Sequence, residues 1–115
     1  AVARFIGRTN FIDAQVLDSQ RIETADLGIL EVAPHAFTTG QTVRAMIRPE
    51  AIIANPASDI ANQAPATVIE RQFLGAQQRQ YLLCGTTTLS LESASMPDHI
   101  THVALPPTHI HLFNR

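Results

Sequence analysis

The sequence contains no lysine, since all eight of its basic residues are arginines. A phosphate-binding loop of the P-loop type needs a lysine that reaches the β- and γ-phosphates of the nucleotide. Schiff-base catalysis and serine–lysine dyads also need a lysine amine. We therefore expect that this chain neither hydrolyses ATP through a P-loop of its own nor performs lysine-based covalent catalysis.

Cysteine is scarce as well, and Cys84 is the only one in the chain. A single cysteine excludes an intrachain disulfide and a zinc cage built from cysteines. Cys84 ends an apolar run that begins at Tyr81. A cysteine in such a run is typical of a small buried hydrophobic residue, so we expect Cys84 in the core.

Long apolar runs and a strong excess of charge are also missing. No stretch approaches the roughly 18 apolar residues of a membrane-spanning helix, and the first residues lack the pattern of a secretory signal. The opening residues 1–8 are instead typical of the interior of a longer protein. A net charge of −2 gives no general attraction to nucleic acid or to an anionic membrane.

Residues with catalytic or metal-binding chemistry occur without the context that such chemistry needs. Ser90, Asp98 and His99 are present, but no serine lies in a nucleophile elbow. His109 and His111 are predicted to share one face of a strand, yet a structural metal site needs about four ligands and no cysteine or acidic residue completes the set. We therefore predict a chain that is not an enzyme and that holds no metal or cofactor.

The hydrophobic pattern predicts an all-β domain. Helical periodicity is weak, while short alternating runs recur about every eight to twelve residues between turn signals. The predicted strands are 2–8, 12–17, 21–24, 28–32, 42–48, 66–74, 80–84, 87–92, 102–105 and 109–113. Residues 60–65 could form a helical turn or remain irregular. This pattern predicts a small barrel or sandwich of short antiparallel strands, with two barrel-like lobes.

The predicted strand 42–48 has one buried and one wet face. Val43, Ala45 and Ile47 point one way, while Arg44, Met46 and Arg48 point the other. Proline at position 49 then forces Arg48 into an extended conformation and ends the strand. The segment Arg48-Pro49-Glu50 is therefore either a structural corner with a solvated charge pair or a rigid platform that presents a guanidinium group to a partner.

A second motif begins after Gly7. Asn10 follows this glycine turn closely and can bond its own loop. Phe11, the next residue, is either a core residue or an interface anchor, and the pattern alone leaves both interpretations open.

In this order the motifs resemble the C-terminal regulatory region of ABC importer ATPase subunits, the transport-associated OB (TOBE) family. The resemblance covers nearly the whole chain, and its most specific part is the Arg-Pro-Glu corner placed after the Phe-Ile-Gly…Asn-Phe element. The matching segments are residues 3–7, 10–12, 27–30, 40–43, 47–50, 68–75 and 109–113.

The resemblance implies an all-β fold of OB-like small barrels, with two half-lobes of short antiparallel strands at about 1–54 and 65–115. The domain would be non-catalytic and would join two ATPase subunits into a homodimer. The resemblance also implies contact with the ATPase domain of its own parent chain and, indirectly, with the membrane permease, in the cytoplasm at the inner membrane. The parent importer resembles the ferric-iron, polyamine and sulfate types, and the iron type is favoured. The residues expected in lobe or dimer contacts are Phe5, Asn10, Phe11, Arg48, Pro49 and Glu50.

Two other functions remain as alternatives. The segment that starts at Asn10 also resembles molybdate-binding OB domains, although the usual serine and lysine donors are replaced here by Arg8, Thr9 and Asn10. Nucleic-acid binding, a common use of OB barrels, needs a basic groove with exposed aromatic residues. The net charge is negative and the chain has no Trp and one Tyr, so we expect no nucleic-acid partner.

Overall fold

The computed structural model describes residues 9–95 and 97–114, and this part of the chain is built from short strands. Two single-turn 3₁₀ helices, Pro49–Ala51 and Pro107–His109, interrupt them. The predicted all-β class is confirmed. The strands are β1 (Asn10–Asp18), β2 (Arg21–Thr24), β3 (Gly28–Glu31), β4 (Thr42–Ile47), β5 (Ile53–Ala54), β6 (Gln63–Pro65), β7 (Thr67–Leu74), β8 (Gln77–Cys84), β9 (Thr87–Ser93), β10 (His102–Ala104) and β11 (His111–Asn114).

The strands form three antiparallel sheets. The first has five strands in the order β11-β4-β1-β2-β3, the second has the order β5-β10-β6, and the third has the order β7-β8-β9. The last strand of the chain therefore lies beside β4, with Leu112 opposite Ala45. The half-lobes 1–54 and 65–115 stay a prediction, and β11 connects the end of the chain to the sheet of its first half.

One hydrophobic core lies between the three sheets, and the alternation of each strand explains it. In β4, Val43, Ala45 and Ile47 point into this core, as predicted, while Arg44 is exposed. Side chains of a strand alternate between its two faces, so every second residue of β1 and β2 is buried in the same way. The largest fully buried hydrophobic side chains are Ile22, Leu30, Ile47, Leu82, Leu89, Leu91 and Leu105.

Local side-chain chemistry sets the turn between β1 and β2. The carboxylate of Asp18 accepts a hydrogen bond from the backbone N–H of Gln20 at 2.9 Å and one from Arg21 Nε at 2.7 Å. The bond from Gln20, followed by the one from Arg21, holds the pKa of Asp18 below its usual value. An aspartate that bonds the backbone two residues later favours a tight turn, and here the turn joins the antiparallel pair β1 and β2.

Several predicted strand boundaries differ from the observed ones; β8, for example, begins at Gln77 and not at residue 80. The predicted strand 109–113 begins too early, because His109 ends a 3₁₀ helix and β11 starts only at His111. The imidazoles of His109 and His111 therefore do not lie on one strand. Pro106 and Pro107 have fixed φ angles, which favour the 3₁₀ turn before β11. Strands β5 and β6 are absent from the predicted set, and β6 lies within the region 60–65 whose structure the sequence does not decide. The predicted strand 2–8 lies outside the described residues.

Candidate functional site

The outer face of the five-stranded sheet carries a cluster of half-exposed apolar and charged side chains. Residues directly opposite each other in antiparallel strands share a face. One row across β11, β4 and β1 contains His111, Met46 and Phe11, and the next row contains Phe113, Arg44 and Asp13. We call five of these six residues the outer patch: Phe11, Asp13, Arg44, Met46 and Phe113.

Arg44 occupies the centre of the outer patch. Its guanidinium carbon lies 5.8 Å from the ring centroid of Phe11, and its Nε lies 3.5 Å from Asp13 Oδ1. Both charged side chains are about half exposed, at 47% and 52%, so each contact contributes at most about 1 kcal/mol. These contacts hold the cation against an aromatic face without removing it from solvent.

The aromatic residues of the outer patch lie outside the core. Phe113 is 49% exposed, and Phe11 and Met46 are half-buried. Phe11 also lines a shallow depression of about 350 Å³ together with Arg44 and Thr87. The exposed parts of the Phe11 and Phe113 rings are in unfavourable contact with water, and a partner surface would remove that contact.

Asn10 lies at the start of β1, where it links two sheets of the same chain. Its side chain is buried and exchanges hydrogen bonds with the backbone of Ser90 on β9. Thr9, directly before it, is half-buried. The roles that the sequence assigned to Asn10 in a dimer contact and to Thr9 in an oxyanion site stay predictions. Phe5 and Arg8 lie outside the described residues.

The Arg48-Pro49-Glu50 segment forms a corner between the first and third sheets. Arg48 has an extended backbone, Pro49 is buried and begins the 3₁₀ helix, and this helix packs against β9. The N–H of Ala51 donates to the carbonyl oxygen of Arg48 at 3.0 Å. Arg48 and Glu50 remain exposed. The corner therefore presents both charged side chains to solvent from a rigid base.

A polar contact that the sequence did not indicate joins two turns. Asp26, between β2 and β3, accepts hydrogen bonds from the hydroxyls of Thr86 at 2.6 Å and Thr87 at 2.7 Å. These two bonds, the first being the larger cause, hold the pKa of Asp26 below its usual value. The nearby Cys84 is buried, as predicted, and burial raises the pKa of its thiol. Asp26 thus stabilises the turn that follows Cys84.

The sequence identified only part of the outer patch. The alternation of strand 42–48 placed Arg44 and Met46 on the wet face, and this prediction is confirmed. The sequence pattern allows Phe11 in the core or at an interface, and the structure places it on the outer face. Phe113 was missed because its position depends on the pairing of β11 with β4.

Among the described residues, no three histidine, cysteine, aspartate or glutamate side chains cluster as metal ligands would. No helix in this part of the chain has the length and apolar character needed to cross a membrane.

Comparisons with known proteins identify the family and the fold. A family model described as the TOBE domain matches residues 45–113, which is more than half of the chain. The cytoplasmic molybdate-binding protein ModG, in a crystal form with molybdate bound, has a similar structure, with a TM-score of 0.75 and 12% sequence identity. The match covers 92% of this chain and 96% of the ModG chain, and it confirms the OB-like architecture. No curated protein matches the sequence.

Proposed function

The chain belongs to the TOBE domain family, and from this we propose that it is a non-catalytic regulatory and dimerisation domain from the ATPase subunit of a bacterial ABC importer. The observation that carries the proposal is the outer patch, in which aromatic, methionine and arginine side chains are held half-exposed on a rigid sheet. These residue types are enriched in protein–protein interfaces.

The outer patch fits a second copy of the same chain. In a symmetric dimer the same surface meets itself, so it must be compatible with its own charges. The patch holds one cation, Arg44, beside one carboxylate, Asp13. Two patches brought face to face therefore carry no excess of like charge, and Phe11 and Phe113 supply the apolar surface that drives association. Arg48 and Glu50 lie on the corner that follows β4 and belong to the rim of this contact.

Light scattering of the chain over a range of concentrations tests the assembly role. We expect a concentration-dependent dimer that Phe11→Asp and Phe113→Asp shift to monomer, because each change places a carboxylate in the apolar contact. Ile69→Asp is the matched control, since Ile69 is 54% exposed on the third sheet. A strict monomer at all concentrations overturns dimerisation as an intrinsic activity. Unfolding of Phe11→Asp, seen by circular dichroism, contradicts an interface role for Phe11.

The placement in an ABC importer has its own test. The chain lacks lysine and so cannot supply a P-loop, and the proposal therefore requires an ATP-binding domain elsewhere in the parent protein. We expect the coding sequence upstream of Ala1 to encode a nucleotide-binding domain with a phosphate-binding lysine. Such a protein would be cytoplasmic and would reach the inner membrane through its permease, and the iron type is the first transport substrate class to assay. A different domain at that position overturns the placement.

A second candidate function is the sensing of an inorganic oxyanion, and the similarity in fold to molybdate-bound ModG favours it. The residues proposed for this site are Arg8, Thr9 and Asn10. Both ends of the Asn10 side chain are bonded to Ser90, so backbone N–H groups would supply most of the donors. Light scattering with molybdate or sulfate separates the two functions. A dimer that forms only with the oxyanion supports sensing, and a dimer indifferent to it supports assembly.

A further inference from the structure

A groove lies between edge strand β7 and the segment that leads into β10. It has a volume of about 540 Å³ and is separate from the outer patch. Its floor is apolar and its walls carry an arginine, a histidine and two hydroxyls. The residues that matter for its chemistry are Thr67, Val68, Arg71, His99, Ile100 and Thr101.

Arg71 supplies an unneutralised positive charge to this groove. One of its N–H groups donates to the carbonyl oxygen of Asp98. Within residues 9–95 and 97–114, no carboxylate lies within ion-pair distance of its guanidinium group, in contrast to Arg21, Arg44 and Arg79. A guanidinium group has five N–H donors in a planar fork. Most of these donors are therefore left for another acceptor.

The opposite wall of the groove is held rigid by one side chain. Asn55 Nδ2 donates to the carbonyl oxygen of His99 at 2.7 Å, and Asn55 Oδ1 accepts from the N–H of Thr101 at 3.0 Å. Between these two residues, Ile100 is buried. The N–H of Ala66 donates to the carbonyl oxygen of Thr101 at 3.0 Å and closes one end. A wall fixed in advance lowers the conformational cost of binding.

Gln80 is a buried polar residue on the neighbouring strand β8 and does not line the groove. It lies directly opposite Arg71 in the β7–β8 pairing, so both side chains are on the same face. Gln80 is fully buried, and neither of its amide atoms has a hydrogen-bond partner in the described chain. Buried amides are nearly always satisfied, and an exception is explained by a bound water, an ion or local strain as readily as by function.

We propose that this groove binds a small organic anion. Its carboxylate or phosphate group would accept two parallel hydrogen bonds from Arg71 and one from the hydroxyl of Thr67. Its carbon chain would lie on Val68 and Ile100. The groove requires no second copy of the chain, so this site goes beyond the assembly role and does not depend on it.

Two-dimensional ¹H–¹⁵N NMR of the chain tests the site with hexanoate, hexyl phosphate and neutral hexanol as probes. We expect saturable shifts of the backbone amides of 67–71 and 99–101 with an anionic probe, and none with hexanol. The anion that binds more tightly identifies the group, carboxylate or phosphate. Arg71→Gln is expected to weaken binding at least about tenfold, the size of one lost charge-assisted hydrogen bond. Arg21→Gln, which removes an exposed arginine elsewhere, is the matched control and should bind as the unchanged chain does.

Binding confined to the groove has a distinct signature in these spectra. The proposal is overturned if no shift saturates at tens of millimolar probe, if Arg71→Gln binds as well as the unchanged chain, or if the shifts spread over the whole surface. If the spectrum of Arg71→Gln loses the dispersion of a folded protein, Thr67→Val serves as the test variant in its place. Thr67→Val removes a hydroxyl from an exposed position at nearly constant volume. Shifts at Thr9 and Asn10 with molybdate would report the separate oxyanion site.

Discussion

The side chain of Asn10 bonds both backbone groups of Ser90, 80 positions later in the chain. Nδ2 donates to the carbonyl oxygen of Ser90 at 2.8 Å, and Oδ1 accepts from its N–H at 2.7 Å. This exchange of two bonds reproduces the pairing between neighbouring strands, but it joins β1 of the first sheet to β9 of the third. One buried amide therefore continues the backbone hydrogen bonding across a boundary between sheets.

Replacement of Asn10 should destabilise the fold strongly. Asn10→Ala leaves a buried N–H and a buried carbonyl oxygen without partners, so we expect the free energy of unfolding to fall by about 2–3 kcal/mol in urea denaturation. Ser90→Ala is the matched control, because it keeps both backbone bonds and removes only a hydroxyl that lies 3.3 Å from Asn10 Oδ1. Equal losses in the two variants would contradict the importance of the backbone bonds.

Two glycines in equivalent hairpin turns should respond differently to the same substitution. Gly75 and Gly85 have φ angles of +67° and +63°, so Gly75→Ala should cost about 1 kcal/mol from backbone strain alone. A Cβ at Gly85 would lie 2.6 Å from Asp26 Oδ1 and 2.9 Å from Asp26 Cβ. Asp26 cannot move away without losing its hydrogen bonds to Thr86 and Thr87. Gly85→Ala should therefore lower the free energy of unfolding by about 1–3 kcal/mol more than Gly75→Ala does.

The measurement for both glycines is the thermal midpoint of unfolding of each variant at neutral pH. Similar losses for the two variants would show that the turn after β8 relaxes around the added methyl group, and the proposed rigidity of the Asp26 contact would then be wrong.

The Asp26 contact should make stability depend on pH in the acid range. The threonine hydroxyls lower the pKa of Asp26 in the folded state, so below the ordinary value of 3.8 the unfolded state binds more protons. Its contribution is present above that value and is lost as the pH falls through the folded-state pKa. We expect Asp26→Asn to be less stable than the unchanged chain at neutral pH and to lose less stability on acidification.

Urea denaturation at neutral pH and at several acid pH values measures this effect. Asp18 also has a lowered pKa. Part of the stability loss on acidification should therefore remain in Asp26→Asn, and the double variant Asp26→Asn/Asp18→Asn should lose still less stability. Parallel pH profiles for Asp26→Asn and the unchanged chain would contradict the role of Asp26.

The strands that the sequence predicts well are those whose own pattern carries the signal. In β4 the alternation of Val43, Ala45 and Ile47 with polar residues specifies both the strand and its buried face. Strands β5 and β6 contain only two and three residues, and both exist because β10 pairs with them from about forty residues away or more. A strand of two or three residues is too short to show a hydrophobic period.

The outer patch and the groove follow the same rule. Arg44 and Met46 are predictable because they alternate with core residues on one strand. Phe113 joins them only through the pairing of β11 with β4, and Arg71 meets His99 only where β7 passes the segment before β10. Contacts between distant segments depend on topology, which local propensity does not encode.

Gln80 offers a test in which a substitution should stabilise the protein. Its amide is fully buried without a partner in the described chain, so Gln80→Leu removes an uncompensated desolvation cost and adds apolar contact with the surrounding core. We expect the free energy of unfolding to rise by about 1–2 kcal/mol without ligand. Gln78→Leu is the matched control, because Gln78 lies two residues earlier on β8 with its side chain half-buried, and it should change stability by less than about 0.5 kcal/mol. A loss of stability in Gln80→Leu would show that the amide has a partner in solution, and urea denaturation of the two variants side by side decides between these outcomes.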